Sequence, residues 1–138
     1  MAPPPQSSRG RGALTARLFV YGTLTPGGDA WVVLAPWTVG EPVADAISGA
    51  LYDTGRGYPC AVFDEIDGVA RGTPVHGVVV ELDAQFRDGA LVELDRYEGP
   101  EYRRVTVRTR SGLEAFAFVW IAPRAGCRLV PNGRWPVS

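Results

Sequence analysis

The chain has 138 residues, 46% of them hydrophobic and 21% charged, with a formal net charge of −1; that suits one compact domain with a single core and supplies no cationic excess for a phosphate backbone, so nucleic acid is not an expected partner. All 14 basic residues are arginine, which excludes P-loop and Schiff-base lysine chemistry, while the single histidine, His76, leaves little room for a multi-histidine metal site and no serine sits in a G-x-S-x-G elbow. The two cysteines, Cys60 and Cys127, lie far apart in sequence and support neither a zinc ribbon nor a disulfide framework, as suits a reduced intracellular compartment.

Residues 1–16, MAPPPQSSRGRGALTA, are rich in proline, serine and glycine and have no periodicity, so a disordered tail is expected there, with a single domain over 17–138. The tail lacks the apolar core of a secretory signal, and nothing elsewhere approaches the roughly 18 to 20 apolar residues that span a bilayer. A soluble, cytoplasmic protein without membrane contact is expected. The RGRG pair reads as a solubilising extension rather than an RNA contact.

The first element of the body is the apolar run Leu18–Tyr21, which stops at Gly22-Thr23-Leu24, with Gly27-Gly28 following a proline. This is a strand that ends in a backbone-exposing loop. A short helix is expected around Ala30 to Leu34, limited by Pro36, with Trp31 and Trp37 as core or rim packing. Strands are expected at Ala46–Tyr52, Cys60–Phe63 and Val75–Leu82, where Cys60 reads as a small buried hydrophobe and His76 as a strand-edge histidine. A helix follows, from Asp83 as N-cap to the stop signal Gly99-Pro100, carrying Phe86, Ala90, Leu91, Leu94 and Tyr97 at helical spacing. Tyr102–Thr109 and Glu114–Ile121 complete the set. In the former, Arg103-Val105-Val107 alternates with Arg104-Thr106-Arg108, as in a strand with one wet face. The class is α+β, a strand-rich sheet or barrel.

Glu98 is anomalous within the helix. At about 100° per residue it falls about 20° from Leu91 and about 40° from Leu94, on the apolar face. Desolvation and the negative end of the helix macrodipole both disfavour its charged form, which is the setting of a general acid/base near neutral pH. Geometry alone leaves two roles open: catalysis, or a frayed last turn in which Glu98 meets solvent or pairs with Arg103 or Arg104.

The ordered set Tyr21-Gly22-Thr23-Leu24, Gly49-Ala50-Leu51-Tyr52, Gly57-Tyr58-Pro59, His76-Gly77-Val78, Leu94-Asp95-Arg96-Tyr97-Glu98-Gly99 and Tyr102-Arg103-Arg104 resembles the gamma-glutamylcyclotransferase-like family. The YGTL form is nearer the subgroup acting on γ-glutamyl amines, although Thr25 stands where those relatives often carry a basic residue. The resemblance implies a small mixed β-barrel with one or two flanking helices. It also implies a loop of Tyr21, Gly22, Thr23 and Leu24 that cradles the glutamyl end of a small-molecule substrate, with Glu98 as proton acceptor and no cofactor or metal. Tyr102, opening the strand after Glu98, either contacts substrate or packs the helix end. The implied reaction is intramolecular: the substrate's α-amine attacks its γ-carbonyl, giving 5-oxoproline and a free amine, with no enzyme nucleophile. The other readings are a dedicated pathway enzyme removing a γ-glutamyl protecting group, and a non-catalytic ligand-binding or interaction domain that kept the fold. A monomer or homodimer is expected.

Overall fold

Leu18, Phe19 and Val20 form an unbroken apolar run because the strand they build is covered on both faces. Phe19 joins one buried cluster, with Ile47, Phe63, Val75, Val107 and Val119. Leu18 and Val20 join a second, with Leu34, Leu82, Leu91, Leu94 and Phe118. In the computed structural model, which describes residues 17–136, that strand is β1 (Arg17–Val20). The tail expected at residues 1–16 lies outside the described residues.

The remaining strands are β2 (Thr38–Asp53), β3 (Pro59–Phe63), β4 (Pro74–Leu82), β5 (Tyr102–Arg108), β6 (Glu114–Trp120) and β7 (Arg128–Leu129). They form one mixed sheet in the order β3-β2-β4-β1-β6-β5, with β7 on β2. β1 pairs antiparallel with β4 and parallel with β6. The sheet curls into a half-barrel, and β3 packs across to β6. The first cluster draws on β1 through β6 and fills the curl. The second seals the sheet against α1 (Trp31–Leu34) and α3 (Arg87–Glu98). Trp31 and Trp37 pack at its edge.

Several boundaries differ from the sequence expectation. β2 begins at Thr38 rather than Ala46, because a bulge between Val39 and Val43 absorbs Gly40 and Pro42, residues that read as a break. The two-residue strand β7 is too short to show a period. The four-residue helix α2 (Asp64–Asp67) closes on Gly68 at φ 74°; its Asp64 and Asp67 hold Arg71 at 3.1 and 2.7 Å.

α3 starts at Arg87, not at Asp83, and its N-cap Phe86 contributes no side-chain bond. Asp83 instead caps the turn before the helix: its carboxylate accepts the Gln85 N–H at 3.0 Å and its carbonyl the Phe86 N–H at 3.0 Å. The buried stripe is Ala90, Leu91 and Leu94, whereas Phe86 and Tyr97 are 47% and 45% exposed.

Candidate active site

The chain after β1 is pinned before it turns. The Tyr21 hydroxyl donates to the Phe118 carbonyl at 2.7 Å. The Gly22 carbonyl accepts both the Thr25 N–H at 3.1 Å and the Thr25 hydroxyl at 2.8 Å, and the Thr23 carbonyl accepts the Ala30 N–H at 2.9 Å. The Gly22 and Thr23 carbonyls are thus occupied within the protein. The N–H groups of Gly22, Thr23 and Leu24 have no acceptor among the described residues. A run of free amides is an anion-receptive concavity, and these three residues border a cavity of about 370 Å³.

The space beside Gly22, and not its backbone angle, is what calls for glycine. Gly22 is not among the positive-φ glycines, so the turn does not require it. A Cβ there would meet Pro59 Cγ at 3.0 Å and Cδ at 3.1 Å. The missing side chain lets the Gly57-Tyr58-Pro59 loop close against the end of β1. That loop is held from the other side, where the Tyr102 hydroxyl donates to the Pro59 carbonyl at 2.6 Å. The Tyr102 ring packs edge-on against Trp120, with centroids 5.1 Å apart.

Glu98 is the last residue of α3, and Gly99, at φ 86°, turns the chain into β5. Glu98 and Tyr102 therefore flank the same cavity. One residue earlier, the Tyr97 hydroxyl lies 3.3 Å from Thr23 Oγ1, tying the helix end to the loop. Burial pushes the Glu98 carboxyl up to about 7. No ion pair compensates it among the described residues: Arg104 Nη1 sits 3.3 Å from Asp95 Oδ2, and Arg103 is exposed. Burial, followed by the Glu98 charge, also pushes the Tyr102 hydroxyl up. Burial and then the charges of Tyr102 and Glu98 act the same way on Tyr21. Both phenols thus remain hydrogen-bond donors, each committed to a backbone carbonyl.

Tyr21, Gly22, Thr23, Leu24, Glu98 and Tyr102 all line the one cavity. Tyr58, Tyr97 and Phe118 line it too. Sequence reasoning placed Tyr97 on the helix stripe, and Phe118 carried no local signal because its approach depends on β6 lying beside β1. His76 is elsewhere, in β4, with its N–H donating to the Gly133 carbonyl at 2.8 Å. Cys60 is buried, which pushes its thiol up to about 12, and the fold sets it beside Cys127 as a pair of free thiols. Among the described residues no group of three or more His, Cys, Asp or Glu side chains could hold a metal ion, and no helix is long and apolar enough to cross a membrane.

A curled mixed sheet carrying a solitary carboxylate opposite a loop of free amides has relatives. The chain belongs to the family described as gamma-glutamyl cyclotransferase, AIG2-like, whose model matches residues 18–137. It is similar to protein ytfP from Escherichia coli, known from a solution NMR structure, with 32% identity over 87% of this chain and 96% of that one and a TM-score of 0.58. The fold is shared with an uncharacterized protein from Pyrococcus horikoshii, at 24% identity over 88% and 90% of the two chains with a TM-score of 0.66. It is shared also with an AIG2-like protein from Mus musculus, at 23% identity over 79% and 80% with a TM-score of 0.59. No curated protein matches the chain in sequence.

Proposed function

We propose that the protein is an intramolecular cyclotransferase that converts a γ-glutamyl amide to 5-oxoproline and a free amine, with Glu98 as general acid/base. The observation that carries this reading is the uncompensated Glu98 carboxyl, raised to about 7 in a cavity whose facing loop has free amides. A group titrating near neutral pH both accepts and returns protons efficiently.

The amides of Gly22, Thr23 and Leu24 receive the α-carboxylate of the glutamyl group, while the aromatic wall of Tyr58, Tyr97 and Phe118 encloses the folded-back chain. The Glu98 carboxylate takes a proton from the α-ammonium. The freed amine attacks the γ-carbonyl carbon, the ring closes, and the C–N bond to the departing amine breaks as that nitrogen is protonated. Over the reaction the α-nitrogen sheds two protons and the departing amine gains both, so a single carboxylate that accepts and returns protons balances the step. Holding nucleophile and electrophile of one molecule together supplies the intramolecular advantage without a protein nucleophile.

The test is 5-oxoproline release from a panel of γ-glutamyl amines, amino acids and peptides, by the wild type and by Glu98→Gln. General acid/base catalysis is worth roughly 10² to 10⁴-fold, so the Gln variant is expected to lose at least about 10²-fold in kcat while remaining folded. Wild-type turnover by that variant removes Glu98 from the chemistry. No release from any substrate in the panel favours a binding domain.

A further inference from the structure

A second cavity, of about 570 Å³, shares Tyr21 with the first and meets the same loop at Thr25, its other walls coming from β2, β4 and the segments that carry Arg110, Arg134 and Trp135. Its polar lining includes Thr25, His76, Asp45, Arg110 and Arg134, with Trp135 beside them. The segment after β7 is laid on the start of β4: the Gly133 carbonyl accepts the His76 N–H, and a Cβ at Gly133 would run into the Pro74 carbonyl. That contact brings Arg134 and Trp135 to His76. Arg110 is held in place, donating from its backbone to the Ala46 carbonyl at 2.8 Å and from its guanidinium to Ser48 Oγ at 3.2 Å and the Gly72 carbonyl at 2.5 Å.

The charges in this lining do not balance. Asp45 is its one carboxylate, and both oxygens are engaged: Oδ1 accepts the Ala46 N–H at 2.8 Å and Oδ2 the Ser111 hydroxyl at 2.5 Å. The Arg134 guanidinium has neither a hydrogen bond nor an ion pair among the described residues, its backbone N–H alone being used, by Asn132 Oδ1 at 3.1 Å. After burial, the nearby charges of Arg134 and Arg110 lower the basicity of His76, so both guanidinium groups act on the same space. Two guanidinium groups against one committed carboxylate leave a local cationic surplus in a chain whose formal net charge is −1.

We propose that the second cavity is an anion site, distinct from the first, which takes a small carboxylate or phosphate at Arg110 and Arg134 and packs an organic body against Trp135. The unengaged Arg134 guanidinium matches either oxyanion bidentately, while Arg110, whose Nε and Nη2 are held by Ser48 and Gly72, adds its charge and Nη1. Two cations are too few for a polyanion, whose binding draws on many neutralised phosphates.

Calorimetric titration of the full chain with inorganic phosphate and, separately, with succinate at low ionic strength tests the site. Saturable binding of at least one anion is expected, weakened about tenfold or more in Arg134→Gln. The anion that binds more tightly and loses more in the variant identifies which oxyanion the site prefers. Among the described residues Arg134 makes no side-chain bond whose loss would unfold the chain, and a melting curve checks this. Glu98→Gln is expected to leave the affinity unchanged, because an anion seated in the first cavity would respond to Glu98 and not to Arg134. Absence of saturable binding by both anions, affinity indifferent to Arg134→Gln, or affinity that moves with Glu98→Gln overturns the proposal.

Discussion

Glu98 ends a helix, lines a cavity and has no ion-pair partner among the described residues, so its ionisation is governed by desolvation. With the carboxyl at about 7, kcat/KM is expected to rise with pH along an acid limb near neutrality. The substrate's α-ammonium must also lose a proton, so the limb belongs to the coupled pair and is assigned only by comparison with Glu98→Gln. An acid limb near 4.5, the ordinary value, means a solvated carboxylate and refutes the desolvation account. Stability follows from the same shift. The folded state holds its proton to a higher pH than the unfolded chain, so the stabilising difference is complete below about 4.5 and is lost as pH rises through about 7. Thermal melting of wild type and Glu98→Gln is expected to diverge over that window in favour of the Gln variant. The divergence is at most about 3 kcal/mol and is reduced by the partial exposure of the group. Glu98 was legible because helical period and residue type conflict there, and no fold was needed to see it.

At the scale of elements, α3 places the carboxylate and Leu94 holds α3. Leu94 is fully buried in the second cluster, one helical turn before Glu98. Leu94→Ala is expected to cost about 2 to 5 kcal/mol in urea unfolding. In the fraction still folded it should also lower kcat/KM, because the last turn loses its register against the loop. An unfolding midpoint within error of the wild type would show that the helix is held by something else. The sequence located the helix by its stripe but extended the start to Asp83, since an aspartate that caps a turn and one that caps a helix look alike locally. The stripe was drawn too wide at Phe86 and Tyr97 for a related reason: spacing says which residues share a face, and only the neighbouring elements say how far that face is covered.

For the whole molecule the central fact is the position of β1, between an antiparallel β4 and a parallel β6. The crossing is tight at Gly77, where a Cβ would collide with the Val20 carbonyl and approach the Phe19 ring. Gly77→Ala must therefore displace backbone, and a loss of about 3 kcal/mol or more is expected. Denaturant unfolding checks it, and a near-neutral result would show that β1 and β4 can separate there at little cost.

The sequence by itself determined the strand-rich α+β character, the loop after β1 and the placement of Glu98 on an apolar helix face. Each of these is written in the period or the local chemistry of a short segment. The tertiary structure decided that Gly22 makes room for Pro59, that Tyr102 secures the loop carrying Pro59, and that Phe118 closes the cavity wall. It also set Cys60 beside Cys127 and gathered His76, Arg110 and Arg134 around a second cavity. Those facts join residues far apart in the chain, and such contacts are settled by strand order and the curl of the sheet, which no local pattern encodes.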